Sequence, residues 1–358
     1  MAGSPVPKTQ LSVQALPQSV LDLKRRPGFG TMKQSTLQNS ARNVVPGGAI
    51  SRRGLLAAMG AVSLAPLLPS SAAAAPTNYT FAHGDCEITV LSDGHLIVPA
   101  RFLATNVERP DLDAALAIAG QRGEWVPPPT NVTLIRTPAD VILIDTGAGP
   151  HFMPTAGRLL DNMETVGIKP ESITKVVYTH AHPDHIWGTL DDFDAAPNFP
   201  NASYVIAAAE WNFWMSEDAA SKLPDDRKNF AAGARRNLTQ IKDRIRTVQP
   251  GEDIVSGLRA LDTSGHTAGH IAIEVVSGGD ALLVVGDALT HEVISFAHPD
   301  WKPAADHHDA DQAVTTRKGL LDRLATDRTP IIGFHLPFPG IGRVARKGSA
   351  YAFLAGRE

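Results

Sequence analysis

The stretch Thr179-His180-Ala181-His182-Pro183-Asp184-His185 decides how the rest of the chain is interpreted. It follows the apolar run Ile173 to Tyr178, which is typical of a short buried strand. Imidazole nitrogens and carboxylate oxygens are suitable ligands for zinc and its first-row neighbours. The spacing is too dense for a helix that presents two histidines at i and i+4. We therefore expect a metal-binding loop whose side chains are shared between two ions, with a histidine-rich surface loop as the alternative.

Three later segments carry further candidate ligands, each at the end of a strand-like apolar run. They are Ser264-Gly265-His266-Thr267-Ala268-Gly269-His270 after Leu258 to Leu261, Gly286-Asp287 after Ala281 to Val285, and His335 after Ile331 to Phe334. Side chains at strand ends can converge on one point. The four segments together predict a single metal centre.

These segments, in this order, resemble those of the metallo-β-lactamase superfamily. The resemblance covers nearly all of the chain after residue 75. The chain is most similar to the methyl parathion hydrolase branch, close to the acyl-homoserine lactonases, because His335-Leu336-Pro337-Phe338-Pro339-Gly340-Ile341-Gly342 is similar to that branch's last-ligand segment. Asp145-Thr146-Gly147 is also similar to a segment of the superfamily. The resemblance implies an α+β fold, an αββα four-layer sandwich with a single catalytic domain.

The resemblance also implies a role for each candidate ligand. His180, His182 and His266 would hold one ion, Asp184, His185 and His335 the other, and Asp287 would bridge the two. Asp145 and His270 would orient ligands through hydrogen bonds, with turn chemistry as their alternative. The implied cofactor is a pair of divalent ions, zinc first, with Mn²⁺, Co²⁺ or Fe²⁺ as alternatives.

The chemistry expected of such a centre is hydrolysis. Two close cations can hold a bridging hydroxide near neutral pH and stabilise the leaving group, with Asp184 and Asp287 as the catalytic carboxylates. The expected substrate is a small hydrophobic ester, lactone or organophosphate such as an aryl phosphotriester, and an acyl-homoserine lactonase is the alternative. An iron-dependent redox enzyme and a non-catalytic binding protein of the same fold are less favoured, because Asp184 follows the hydrolase pattern and every expected ligand is present.

Four aromatic residues are candidates for the substrate pocket, with a place in the hydrophobic core as the alternative for each. Phe152, Trp214 and Phe230 match aromatic positions that line the leaving-group cavity in the organophosphate-hydrolysing branch. Trp187 stands where that branch usually has a small residue, which argues against a methyl parathion-type substrate. For Asp306, His307 and His308, between Trp301 and the next helix, we predict a solvated polar loop, with a place at the rim of the pocket as the alternative.

Composition sets limits on the class of protein. The chain has 358 residues, of which 43% are hydrophobic, so one domain can bury a large core. A formal net charge of -4 gives no reason to expect nucleic-acid binding, which usually requires a basic face. The single cysteine, Cys86, excludes an internal disulfide and a zinc-thiolate cluster. If the protein forms an oligomer, a homodimer is expected, because dimers are the commonest soluble oligomers.

The amino-terminal part predicts an export signal rather than fold. Residues 1–50 lack hydrophobic periodicity, which is typical of a disordered extension, and translation from Met32 instead of Met1 is an alternative. Residues 51–75 combine Arg52-Arg53 with an apolar run and a small-residue tract, as in a twin-arginine-type signal peptide.

A membrane anchor is the less favoured alternative, because the apolar run Leu55 to Leu68 is shorter than the ~20 residues that span a bilayer and contains Pro66. We therefore expect cleavage near Ala74-Ala75 and a periplasmic hydrolase domain over residues 76–358 with no stable membrane span.

Local patterns after the leader predict alternating strands and helices. Glu87 to Leu91 and His95 to Pro99 predict a hairpin around Ser92-Asp93-Gly94. Residues 102–129 predict an excursion over the site. Phe230 to Val248 predicts the clearest helix, because apolar residues recur there at helical spacing. The alternation is consistent with two sheets covered by helices on both outer sides.

Overall fold

Two seven-stranded β-sheets form the body of the chain in the computed structural model, which describes residues 76–357. The first sheet contains, in spatial order, β1 (Asn78–His83), β2 (Cys86–His95), β5 (Pro129–Arg136), β6 (Val141–Ile144), β7 (Lys175–Val177), β8 (Ser203–Ala207) and β9 (Ile245–Val248). The second contains β10 (Asp253–Val255), β11 (Leu258–Asp262), β12 (Ile271–Ser277), β13 (Asp280–Val284), β14 (Ile331–Ile332), β15 (Ile341–Lys347) and β16 (Ala350–Ala355). A separate pair consists of β3 (Val98–Pro99) and β4 (Trp125–Val126).

Eight α-helices accompany the sheets in the described part of the chain. They are α1 (Arg109–Ile118), α2 (Gly149–Phe152), α3 (Leu159–Thr165), α4 (Pro183–Ile186), α5 (Ala208–Met215), α6 (Lys228–Ile241), α7 (Ile294–Ala297) and α8 (Ala310–Asp327). Helices α3, α5 and α6 share one apolar core with the outer face of the first sheet, and α8 shares another with the outer face of the second. The predicted αββα sandwich is confirmed.

The side-chain alternation of a strand explains why apolar runs build this layered arrangement. In β6, Ile142 and Ile144 belong to the core between the sheets, whereas Leu143 packs under the helices. In β13, Leu282 faces the other sheet and Leu283 faces α8. Because successive side chains point to opposite faces and both faces are covered, the buried positions of these two strands are all apolar. Each fully buried side chain of this size contributes roughly 1.5–3 kcal/mol of transfer free energy.

The strand directions bring the candidate ligands to one edge. Strands β6, β7, β8 and β9 pair in parallel, as do β13 and β14. The carboxyl ends of β6 and β7 lead to Asp145 and His180, and those of β13 and β14 lead to Asp287 and His335. Parallel strands end at the same edge of a sheet, which places these loops together.

The predicted hairpin around Ser92-Asp93-Gly94 is wrong. Strand β2 continues through these residues with an irregularity between Ser92 and Gly94, and pairs with β1 and β5. The side chain of Asp93 is buried and accepts hydrogen bonds from the backbone N–H groups of Ala148, Gly157 and Leu159. Burial raises the pKa of this carboxyl to about 6. The turn-like sequence therefore marks a bulge that anchors a neighbouring loop.

The predicted helix over Phe230 to Val248 is correct only in its first part. Helix α6 ends at Ile241, and Ile245 to Val248 form β9, which pairs in parallel with β8 at the edge of the sheet. The β-branched residues Ile245, Thr247 and Val248 suit a strand. Their spacing continued the helical pattern by coincidence.

The predicted extension over residues 1–50 and the predicted signal over residues 51–75 lie outside the described residues and stay predictions. Between residues 76 and 357, no helix combines the length and the apolar character needed to cross a membrane.

Candidate metal centre

The loop after β7 presents its ligands through one short helix. His182 is the residue before α4, and Pro183 opens the helix, where its fixed φ fits the first helical position. Asp184 and His185 lie in the single turn that follows, and all of these side chains are buried. The turn gathers ligands that the sequence places in an almost continuous row.

The seven predicted ligands come together in two groups. Within each group the potential donor atoms lie within 4.8 Å of one another, and the groups are His180, His182, His266 and Asp287, and Asp184, His185 and His335. One carboxylate contacts both groups: Asp287 Oδ2 lies 3.3 Å from His266 Nε2 and 3.3 Å from His335 Nε2. Asp287 therefore occupies the position between the two groups.

The donor atoms fit a pair of ions. Nε2 of His180 is fully buried and has no hydrogen-bond partner among the described residues, although most buried polar atoms have one. Nδ1 of His182 and Nε2 of His266 are 3.0 Å apart, close to the roughly 3.3 Å between two nitrogens on one tetrahedral zinc. The set contains imidazole and carboxylate only, which suits zinc and related divalent metals.

Hydrogen bonds on the far side of the rings fix two ligands of the second group. Asp145 Oδ2 lies 2.8 Å from His185 Nδ1, and its Oδ1 accepts from the backbone N–H of Thr179. Asp145 has a φ of 64°, a left-handed conformation that is uncommon outside glycine. His335 Nδ1 donates to Pro129 O at 2.8 Å. Each contact leaves Nε2 directed at the centre.

His270 lies beside the ligands without an open nitrogen. Its Nε2 accepts from the backbone N–H of Asp287 at 2.9 Å, so Nδ1 carries the proton and donates to Thr263 Oγ1 at 2.7 Å. Burial lowers the pKa of His270 to about 3, which keeps the ring neutral. The ring positions the loop that carries Asp287.

The prediction of a solvated loop over residues 306–308 is wrong for two of its residues. Asp306 is 3% exposed, lies 2.8 Å from His266 Nδ1 through Oδ1 and accepts from Arg317 through Oδ2. His307 Nε2 lies 2.8 Å from His182 Nε2. Two consecutive residues thus hold two ligands of the same group. Only the third residue, His308, is exposed.

Glu210 was not predicted as a site residue, although its carboxylate joins the two ligand loops. It is fully buried in α5, and Oε1 accepts from Ala181 N and Trp214 Nε1 while Oε2 accepts from Thr267 Oγ1 and Gly269 N. A Cβ atom on Gly269 would lie 2.2 Å from the backbone nitrogen of Glu210. Only glycine permits this approach.

The two groups differ in electrostatic character. Burial lowers the pKa of His180 and His182 well below the usual value, so both are neutral and ready to bind metal. Burial also acts on His335 and His185, but the nearby Asp287 carboxylate, with Asp184, outweighs it. It raises the pKa of His335 to about 10 and that of His185 well above its usual value.

A cavity of about 300 Å³ opens over both groups and has a largely apolar wall. Its lining includes His182, Asp184, Asp287 and His335 together with Leu96, Val98, Phe102, Phe152 and Phe230. The predicted excursion over residues 102–129 contributes Phe102 to this wall, and α1 packs behind it.

The predicted aromatic pocket is only partly formed. Phe152 and Phe230 line the cavity, and Trp187 packs against both with ring centroids 5.5 Å and 6.4 Å away. Trp214 is fully buried, its ring centroid lies 6.0 Å from that of His182, and its indole N–H is used by Glu210. The prediction that Trp214 lines the pocket is wrong, since it supports His182 from behind.

Known proteins share the fold of this chain. The hydrolase AbOPH of the beta-lactamase superfamily has a TM-score of 0.73 and 28% identity, covering 79% of this chain and 99% of its own. AidC, a dizinc quorum-quenching lactonase, has a TM-score of 0.74 and 26% identity, covering 78% of this chain and 98% of its own. An N-acyl homoserine lactonase of Bacillus sp is 24% identical over 191 residues, 48% of this chain and 68% of the lactonase.

The chain spans 57–65% of the length of the first curated relatives it matches. The model of the metallo-beta-lactamase superfamily matches residues 125–330, which is more than half of the chain and contains all the predicted ligands except His335. This chain belongs to the metallo-beta-lactamase superfamily.

Proposed function

We propose that the chain is a binuclear metal-dependent hydrolase of small hydrophobic esters and lactones. The observation that carries the proposal is the position of Asp287 between two complete groups of buried donors. A single ion would need only one of these groups. Zinc is the proposed metal, because all the donors are imidazole or carboxylate.

Two bound ions of this kind supply an activated water near neutral pH and polarise the oxygen under attack. The chain contributes the geometry. Asp287 holds the two groups at a fixed separation, and Asp184 Oδ2, 3.2 Å from His335 Nε2, faces the same space. The apolar cavity wall excludes competing water from the reacting bond. Because water is the nucleophile, this reaction requires no serine nucleophile.

The cavity and the relatives both support an ester or lactone substrate. A space of about 300 Å³ is at the lower end of ligand pockets, which suits a small molecule. Two similar proteins, AidC and the Bacillus enzyme, are lactonases. An acyl-homoserine lactone is accordingly the first substrate to test.

An aryl phosphotriester is the second candidate, and a specific feature favours it. Phe152 and Phe230 meet edge to face at 6.1 Å within the cavity lining and offer an aromatic surface to an aryl leaving group. Trp187 fills the space behind them, which limits the size of that group.

The discriminating experiment compares kcat/KM for an aryl phosphotriester with that for a long-chain homoserine lactone, with metal content measured on the same sample of the full chain. A ratio well below one, with lactone hydrolysis lost in His182→Ala, supports the lactonase. A ratio well above one supports the phosphotriesterase. Equal rates before and after metal removal would reject both, and bound iron with oxygen consumption would point to redox chemistry.

We also propose export to the periplasm through the twin-arginine-type signal over residues 51–75. The support is the order of paired arginines, apolar run and Ala74-Ala75 tract. Replacing Arg52 and Arg53 by lysine should leave the protein in the cytoplasmic fraction. Unchanged fractionation of this variant would refute the proposal.

A further inference from the structure

A buried arginine lies in the wall of the substrate cavity. Arg227 precedes α6, is 8% exposed, and lines the same space as His182, Asp287 and His335. It is the only lysine or arginine among the residues that line this cavity. A cation in a mostly apolar wall requires a physical explanation, because burying it without a partner costs free energy.

The contacts of Arg227 leave its charge largely uncompensated. Nη1 donates to the carbonyl of Ala304, and the guanidinium lies 5.0 Å from the centre of the Phe102 ring. Among the described residues, the only carboxylate within 4.0 Å of its guanidinium is that of Asp226, which lies 4.0 Å from Nε and has a side chain that is 76% exposed. Solvent screens such a pair strongly. Burial accordingly lowers the pKa of Arg227.

Part of the guanidinium remains available to a ligand. Among the described residues, no acceptor is hydrogen-bonded to Nη2 of Arg227. The contacts with Ala304 and Phe102 hold the planar group in place, which reduces the entropy lost when it binds an acceptor. A guanidinium binds oxygen acceptors with strong directionality, and carboxylates most strongly.

We propose that Arg227 is a specificity-determining residue that binds an acceptor oxygen of the substrate, either a carboxylate or an amide carbonyl, at a position remote from the scissile bond. The inference rests on the proposed ester and lactone hydrolysis and narrows its substrate class. The substrate combines an apolar body, which packs on Phe152 and Phe230, with one polar oxygen at Arg227. The competing role is purely structural, in which Arg227 only joins the start of α6 to Ala304.

The test uses three esters with the same scissile bond and chain length, ending in a carboxylate, a primary amide or a hydrocarbon group. With the metal-loaded full chain we expect kcat/KM to be roughly ten- to hundredfold higher for at least one acceptor-bearing ester than for the hydrocarbon ester. Arg227→Met should abolish this preference. Arg227→Lys should retain part of a preference for the carboxylate and lose a preference for the amide, because it keeps the charge without the planar fork.

Lys228→Met is the matched control. Lys228 is the next residue, its side chain is 51% exposed, and it pairs with Asp225 at 2.6 Å. This variant removes the same charge outside the cavity and should leave the ratio between the esters unchanged.

Two results would overturn the inference. One is a wild-type enzyme that hydrolyses all three esters equally well. The other is an Arg227→Met or Arg227→Lys variant that slows hydrolysis of all three esters by the same factor, which is the result expected of a purely structural role. Hydrolysis of none of the esters would instead count against the proposed function. If Arg227→Met does not fold, the ratio in Arg227→Lys decides.

Discussion

Replacing Asp306 by asparagine should weaken metal binding at the group that contains His266. The carboxylate accepts on both sides, from His266 Nδ1 through Oδ1 and from Arg317 Nη2 through Oδ2. An asparagine side chain can accept on only one side. If its oxygen faces Arg317, its amide faces His266 and favours the tautomer whose Nε2 carries a proton and cannot bind metal. If the amide faces Arg317, two donors meet.

The expected loss is roughly ten- to hundredfold in metal affinity, as for other partners of metal-bound histidines, or about 1.4–2.8 kcal/mol. Competition with a chelator of known affinity measures it. Asp309→Asn is the control, because it removes the same charge at a residue whose side chain caps α8 and contacts no ligand, and asparagine caps equally well. Equal metal affinity for Asp306→Asn, Asp309→Asn and the wild type would refute the role assigned to Asp306.

Three further predictions concern stability and pH. Glu210→Gln should lower the free energy of unfolding by about 3 kcal/mol, since two of its four donors lose a charged acceptor; an unchanged urea midpoint would contradict this. In the metal-free protein the raised pKa values of His335 and His185 stabilise the fold, fully so below about pH 6.5, and the contribution of His335 is lost as pH rises through its pKa of about 10. Ion binding must displace these protons, so affinity for the second ion should rise up to about tenfold per pH unit for each proton released, and a pH-independent affinity by calorimetry would count against it. Gly233→Ala should lower the melting temperature although alanine favours helix, because its Cβ would lie 2.4 Å from the Trp187 ring; a higher melting temperature would disprove that contact.

The metal centre could be predicted from sequence to the extent that its ligands are local. His180 to His185 lie in one loop, and the ligands after β11, β13 and β14 each follow a recognisable apolar strand. The alternation of these strands with helices was consistent with the layered fold, which the resemblance to the superfamily implied. The apolar spacing of Ile245 to Val248 fits a helix as well as a strand. These residues form a strand because they pair with β8.

Glu210, Asp306 and His307 hold ligands but were not predicted to do so, because their contacts are distant in sequence. Only the resemblance to the superfamily assigned such a role to Asp145 and His270. His307 meets His182 across 125 positions, and Glu210 meets Thr267 across 57. Nothing local distinguishes Glu210 from any other helical glutamate. The segment Asp306-His307-His308 did carry a signal in its composition, but a polar segment between two elements equally suits a solvated loop. Only the fold shows that it lies against the ligands.

With Asp287 between two groups of buried donors, hydrolysis should require two bound ions. The decisive measurement is a titration of the metal-depleted full chain with zinc, in which bound metal and the rate of lactone hydrolysis are followed on the same sample. We predict a rate that reaches its maximum only at two ions per chain, and about one tightly bound ion in His182→Ala and in His335→Ala. A maximal rate at one ion per chain, or hydrolysis that persists without metal, would contradict the account.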